Sequence, residues 1–173
     1  MGDPTDLKIP VRRIRVELCL AGQAARRVDL FLGERGERDW NRPEVLDLVE
    51  GHRQFLPCRD GELGTWTIIN RDHIVWLAVP LHELRSTSPE EGTGFGLLYD
   101  HRRQVKLQLN GGLNLEGAIL YSAPAEHARL MDHVNQTGSF LVLHWSDQIL
   151  MVRKSAIVEI VEASAGPGGQ ESR

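Results

Sequence analysis

The strongest constraint on the fold is that the chain repeats itself. Val16, Leu18, Leu20 and Gly22 are matched by Val105, Leu107, Leu109 and Gly111, apolar at every second position and closed by glycine. Val28, Leu30 and Leu32 are matched at the same offset by Gly117, Ile119 and Tyr121. Residues 45–50 then match 130–135, Phe55 and Leu56 match Phe140 and Leu141, and residues 68–75 match 151–158. One such block arises readily in a β-rich chain. Five in the same order point to duplication, and an internal repeat decides the fold class before any single motif does.

The repeat divides the 173 residues. Residues 11–80 form the first copy and 104–162 the second, each holding about 65 residues of repeat, near the lower limit for an independent domain. Residues 81–103 connect them. The centre of this segment, 86–96, is rich in Gly, Pro and Ser and reads as a flexible linker, with a short helical turn over 81–84 before it. Residues 1–10 read as a solvated tail and 163–173 as a disordered one, since 165–173 has almost nothing to bury.

Within a copy the first signal is period two. Ile14, Val16, Leu18 and Leu20 point one way and Arg15, Glu17, Cys19 and Ala21 the other, the pattern of a half-buried strand. Gly22 ends it, residues 27–32 form a second strand, and the two make a hairpin. The matching turn in the second copy, Asn110-Gly111-Gly112, is a strong hairpin signal because both glycines accept positive φ. A short helix follows, with Asn41 as N-cap, Pro43 in the first turn and Gly51 past the end. Val45, Leu46, Leu48 and Val49 give it an apolar face. Ser122 and Pro124 supply the matching start, and Leu130, Met131 and Val134 the matching face. Three strands complete each copy: 54–59, 66–70 and 73–79, then 139–145, 149–153 and 156–161. Only Arg71-Asp72 and Lys154-Ser155 separate the last two, which predicts a tight reversal. The fold class is mainly β: two duplicated β-β-α-β-β-β units forming small barrels or strongly bent sheets. Closure into a barrel would remove the free edges of a five-strand sheet.

Residues 105–117 run as a strand, a glycine turn and a strand with an inner glycine, Gly117. Residues 150–160 run as a strand, a turn led by Arg153 and a second strand. Over 105–160, and more faintly in the first copy, the chain resembles the Sm-like (SH3-type) small β-barrels. It departs from their pattern at Lys154, which replaces the glycine of the Arg-Gly turn. It departs again in its helix, placed between strands two and three and not at the N-terminus. Asp132 and Asn135 resemble the Asp-x-x-Asn portion of the first Sm signature. The resemblance implies oligomeric rings that bind single-stranded RNA at loops near the pore, with three chains closing a six-unit pseudo-ring. The positions it implies for RNA are Asn135 and Arg153 in the second copy, and Glu50 and Asn70 in the first. The carboxylate of Glu50 counts against symmetrical RNA binding. Small barrels serve many unrelated functions, so the fold alone leaves the activity open.

Motifs for catalysis are missing from the sequence. The seven histidines, His52, His73, His82, His101, His127, His133 and His144, form no His-x-His or His-Glu-x-x-His pattern, and there is no Cys-x-x-Cys. His127 and His133 do not share a helical face, and a metal needs converging ligands. Scattered surface or half-buried histidines are the simpler reading. Asp47 and Asp132 recur because the helix recurs, and each is expected to bond within its own copy. Cys19 and Cys58 sit in strands, where buried inert thiols are the rule. Gly92, Gly94 and Gly96 are followed by no Gly-Lys-Ser/Thr, so they belong to the linker. No catalytic residue, cofactor, metal or small-molecule substrate is expected.

Two surfaces remain. Arg12, Arg13 and Arg15 precede or enter the first strand of copy one, and Arg102, Arg103 and Lys106 occupy the equivalent entry of copy two. If the copies lie side by side these form one positive stripe, against an overall formal charge of −4. Trp66, Trp76, Trp145 or Tyr121 would then supply stacking partners for bases. A solvated, charged strand edge is the competing explanation. The last strand of copy one is apolar on both faces, with Ile74, Trp76 and Ala78 on one side and Val75, Leu77 and Val79 on the other. Such a strand is covered on both faces, so Ile74, Val75, Trp76 and Leu77 mark an interface with the second copy or with another chain. The expected function is a non-enzymatic interaction, adaptor or scaffold module, oligomeric or bound to a protein partner. The alternative is a single-stranded RNA binder. No apolar run reaches the length of a membrane span, the first residues do not read as a secretory signal, and a cytoplasmic location is expected.

Overall fold

The computed structural model describes residues 12–32, 43–84, 99–124 and 129–163. In chain order the elements are β1 (Arg12–Leu20), β2 (Arg26–Leu32), α1 (Glu44–Glu50), β3 (Phe55–Asp60), β4 (Trp66–Asn70), β5 (Ile74–Pro80) and α2 (Leu81–Leu84). They are followed by β6 (His101–Leu109), β7 (Asn114–Tyr121), α3 (Leu130–Gln136), β8 (Phe140–Trp145), β9 (Gln148–Arg153) and β10 (Ile157–Glu162). The chain is thus mainly β, and the ten strands of the described residues make one antiparallel sheet in the order β10-β6-β7-β8-β9-β5-β1-β2-β3-β4. The sheet is not closed: β4 and β10 are its two ends. Strands β1–β5 and β6–β10 follow the same internal order, each block placing its fifth strand beside its first.

That order corrects the reversal expected at Arg71-Asp72 and Lys154-Ser155. A 3-10 turn fills each gap, over Arg71–His73 and Lys154–Ala156. β5 does not fold back on β4 but crosses to pair with β1, and β10 likewise pairs with β6. The ladders of the two blocks share their register. Val16 faces Val28 as Val105 faces Gly117, Leu18 faces Leu77 as Leu107 faces Ile160, and Phe55 faces Asn70 as Phe140 faces Arg153. Both fifth strands also slip by one residue, at Val75 and Val158.

The turn chemistry is local. Gly22, Gly111 and Gly112 have φ of 73°, 88° and 83°, values that a side chain makes costly. Gly117 answers a different need. A Cβ there would lie 3.0 Å from the His144 carbonyl oxygen and 3.2 Å from the Leu143 Cβ, so the missing side chain lets β7 approach β8. α1 starts at Glu44, with Pro43 as its N-cap residue and Gly51 just past its end; Asn41 lies outside the described residues. α3 starts only at Leu130, and Ser122 and Pro124 sit in the coil after β7. β6 extends back to His101, so Arg102 and Arg103 lie inside a strand. The centre of the expected linker and most of both tails fall outside the described residues.

Burial follows the alternation. Ile14, Val16, Leu18, Val28 and Leu30 join Val45, Leu46 and Val49 of α1 and Leu77 and Val79 of β5 in one apolar cluster. Val105, Leu107, Leu109, Ile119 and Tyr121 join Leu130, Leu141 and Leu143 in a second. Neither cluster belongs to one block alone. Phe140, Ile149 and Met151 of the second block pack into the first cluster. Val75, Trp76 and Ala78 of the first block pack into the second.

Candidate interaction surfaces

The joint between the blocks is the antiparallel ladder of β5 on β9. Trp76 stands opposite Val152, Leu77 opposite Met151, Ala78 opposite Leu150 and Val79 opposite Ile149. This is where the doubly apolar strand finds its cover. Ile74 and Leu77 lie in the first cluster, while Val75 and Trp76 pack against the second. Strict alternation placed Ile74 with Trp76, but the slip at Val75 separates them: Cys19 faces Trp76 and the next residue, Leu20, faces Ile74. A bulge of this kind re-aims every side chain on one side of it. The indole nitrogen of Trp76 is buried without a hydrogen-bond partner among the described residues.

Polar contacts lock the same joint. Arg153, at the end of β9, donates from Nε to the Ile74 carbonyl oxygen at 2.8 Å and from Nη2 to that of Arg71. Its guanidinium lies 4.7 Å from the centre of the Phe140 ring, a cation–π distance. From the other side, the Glu50 carboxylate accepts the Phe140 backbone N–H at 3.1 Å. Within the second block, Lys154 donates to the Thr137 carbonyl oxygen at 2.6 Å. Arg153 and Glu50, two positions implied for RNA, are here engaged in holding one block on the other. Asn135 is exposed on α3, and the Asn70 side chain accepts the Asp72 N–H at 2.9 Å.

A cavity of about 310 Å³ opens beside the joint, lined among others by Leu46, Glu50, Tyr99, His133, Phe140 and His144. Burial pushes both histidines below the usual imidazole range, with the charge of Lys154 adding to this at His133 and that of Arg102 at His144. The His133 ring stacks on Tyr121 at 4.7 Å. The described residues hold no group of three or more His, Cys, Asp or Glu placed for a metal ion. Burial raises the thiols of Cys19 and Cys58 above their ordinary value, which makes both poorer nucleophiles.

The basic residues do not converge. Four strands separate β1 from β6 in the sheet, so the two strand entries are not neighbours. Arg12 pairs with Glu44 at 3.0 Å. Arg15 and Arg13 both pair with the buried Asp29, at 2.9 and 3.6 Å, and Lys106 pairs with Glu116 at 3.7 Å. The alternation of β1 showed which arginines were exposed, but the acids that meet them arrive from other elements.

What sequence reasoning missed is the outer end of the sheet. On β3 and β4, Phe55, Pro57, Trp66 and Ile68 share one face, and all four are exposed. Phe31 stacks on Trp66 at 5.0 Å and extends this patch. The sequence signal was present. Trp66 and Ile68 on one side and Ile69 on the other make β4 apolar on both faces, as in β5. At the other end, Val158 and Val161 of β10 are exposed, as is Met131 on α3.

The chain matches no protein-family model, no curated protein and no solved structure. Among the described residues, no helix is long and apolar enough to cross a membrane.

Proposed function

We propose that this chain is a non-enzymatic scaffold module, built from two duplicated small β units, that works by docking protein on the open ends of its sheet. The observation that carries the reading is the exposed apolar face of Phe55, Pro57, Trp66 and Ile68 beside a strand, β4, that is paired on one side only among the described residues. A flat apolar edge is a template for a further strand, and contiguous exposed apolar patches mark interaction sites. The duplication is supported by the common strand order, the common register and the common slip at Val75 and Val158. The Sm-like resemblance is supported by the positive-φ glycine turn and by the close approach of β8 at Gly117. RNA binding has less behind it, because most of the basic residues proposed for it are held by acids or carbonyl oxygens.

Purification of the tagged full-length chain from cells tests the reading. Protein retained at roughly one-to-one stoichiometry, free of nucleic acid and lost in Ile68→Glu, is expected, since charge on a docking face destroys it. A chain that purifies alone as a monomer, or that carries nucleic acid instead of protein, contradicts it.

A further inference from the structure

We infer that the protein docked on β4 is a second copy of this chain, whose β10 adds to β4 head to tail in the register that β5 takes on β9. The inference rests on the scaffold reading and names its partner.

The exposed apolar residues of one block have buried counterparts in the other. Phe55, Trp66 and Ile68 are 57%, 69% and 73% exposed, whereas their counterparts Phe140, Ile149 and Met151 are 1%, 0% and 0% exposed. The sequence positions are equivalent and the ladders share their register, so local structure does not explain the difference. What differs is cover: β9 pairs with β5, and Phe140, Ile149 and Met151 cluster with residues of α1 and β5, whereas among the described residues β4 pairs with β3 alone and its outer face meets the Phe31 ring. The same holds on the covering side. Leu46 of α1 is 7% exposed because Phe140 and its neighbours lie on it, while Met131, its counterpart on α3, is 64% exposed. Ala78 of β5 is buried and Val161 of β10 is not.

The chain therefore carries both halves of one joint twice. One pair is joined internally, and the other pair is left at the two ends of the molecule. Transferring the internal register to the free ends sets Glu159 of one chain opposite Ile69 of the next, Ile160 opposite Ile68, Val161 opposite Thr67 and Glu162 opposite Trp66. Met131 then covers Phe55 and Trp66, as Leu46 covers Phe140 and Ile149. Asn135 occupies the place of Glu50, where a side-chain oxygen accepts the N–H of the Phe55 counterpart. Glu162 then lies on the face that carries Arg59, and Glu159 on the opposite face beside Ile69. Because β4 and β10 are different surfaces, the contact is heterologous and leads to a ring or to an open fibre.

Light scattering on the purified full-length chain and two single variants tests this. Ile68→Glu blocks the β4 end and leaves β10 intact, and Val161→Glu does the reverse. Both sites are exposed, and a native-like circular dichroism spectrum with a cooperative melt is the check that each variant folds, since loss of assembly by itself lowers the melting midpoint. The expected result is a wild-type mass of at least two chains, a single-chain mass for each variant alone, and a two-chain mass when the variants are mixed, since one good end of each remains. A wild-type monomer, variants that still self-assemble, or a mixture that stays monomeric overturns the inference. A wild-type monomer that nevertheless captures a different protein, lost in Ile68→Glu, refutes self-assembly while sparing the scaffold reading. A monomer that captures nothing refutes both.

Discussion

Asp29 is buried on β2 and meets two arginines of β1. The hydrogen bond from Arg15 holds its carboxyl below the usual carboxylate value, opposed by burial and helped by the charges of Arg15, Arg13 and Arg59. The unfolded chain therefore binds this proton first. The stabilisation is complete above the unfolded value and is lost as pH falls through the folded one. Asp29→Asn is expected to lower stability at pH 7 by about 1–3 kcal/mol, the range for a lost charged hydrogen bond. In thermal melts the gap to wild type should close below about pH 4, where the reference carboxylate protonates. His133 and His144 act on a second window. Burial favours their neutral form, so the unfolded chain takes up protons as pH falls below about 6.5, and stability declines with acid from there. His133→Leu, which copies Leu48 at the matching place on α1, should flatten the melting midpoint between pH 7 and 5; an unchanged slope would contradict this account of the imidazole.

The elements were legible wherever a period or a turn residue carried the information. β4 appears over the predicted residues, β3, β5, β8, β9 and β10 differ by only a residue or so at their ends, and the glycines of both hairpins have the positive φ that their turns require. The start of α3 was not legible, because Ser122 and Pro124 are equally at home in coil. The pairing of β5 was not legible either, since the gap at Arg71-Asp72 fits a hairpin and a 3-10 crossover equally well. The fate of the arginines depended on Asp29 and Glu44, brought in by other elements, and no local pattern reports that. Two variants test how the elements fit. Gly117→Val reproduces Val28 of the first block but drives a side chain into the His144 carbonyl, and should cost about 1–3 kcal/mol by overpacking. Trp76 fills the joint yet leaves its indole nitrogen unbonded, so Trp76→Phe should lie within about 1 kcal/mol of wild type, whereas Trp76→Ala should cost about 3 kcal/mol. Equal losses for the two would mean that the indole N–H is satisfied after all.

For the whole molecule, the proposed duplication accounts for a joint made once within the chain, β5 on β9, and for the exposed apolar residues left on β4 and β10. β4 contains neither proline nor a charged residue to blunt its edge, whereas β10 carries Glu159, Glu162 and the slip at Val158. The central claim is that the internal register recurs between chains, and a cysteine pair reads that register directly. Residues opposite each other in an antiparallel ladder bring their Cα atoms to about 4.5–5.5 Å, within disulfide reach. In a chain carrying both Thr67→Cys and Val161→Cys, mild oxidation should produce a reducible ladder of multimers. Mixing the two single variants should stop at the dimer, and wild type, with its native Cys19 and Cys58, should not cross-link. No cross-linking in the double variant, or dimers from Thr67→Cys alone, would contradict the account.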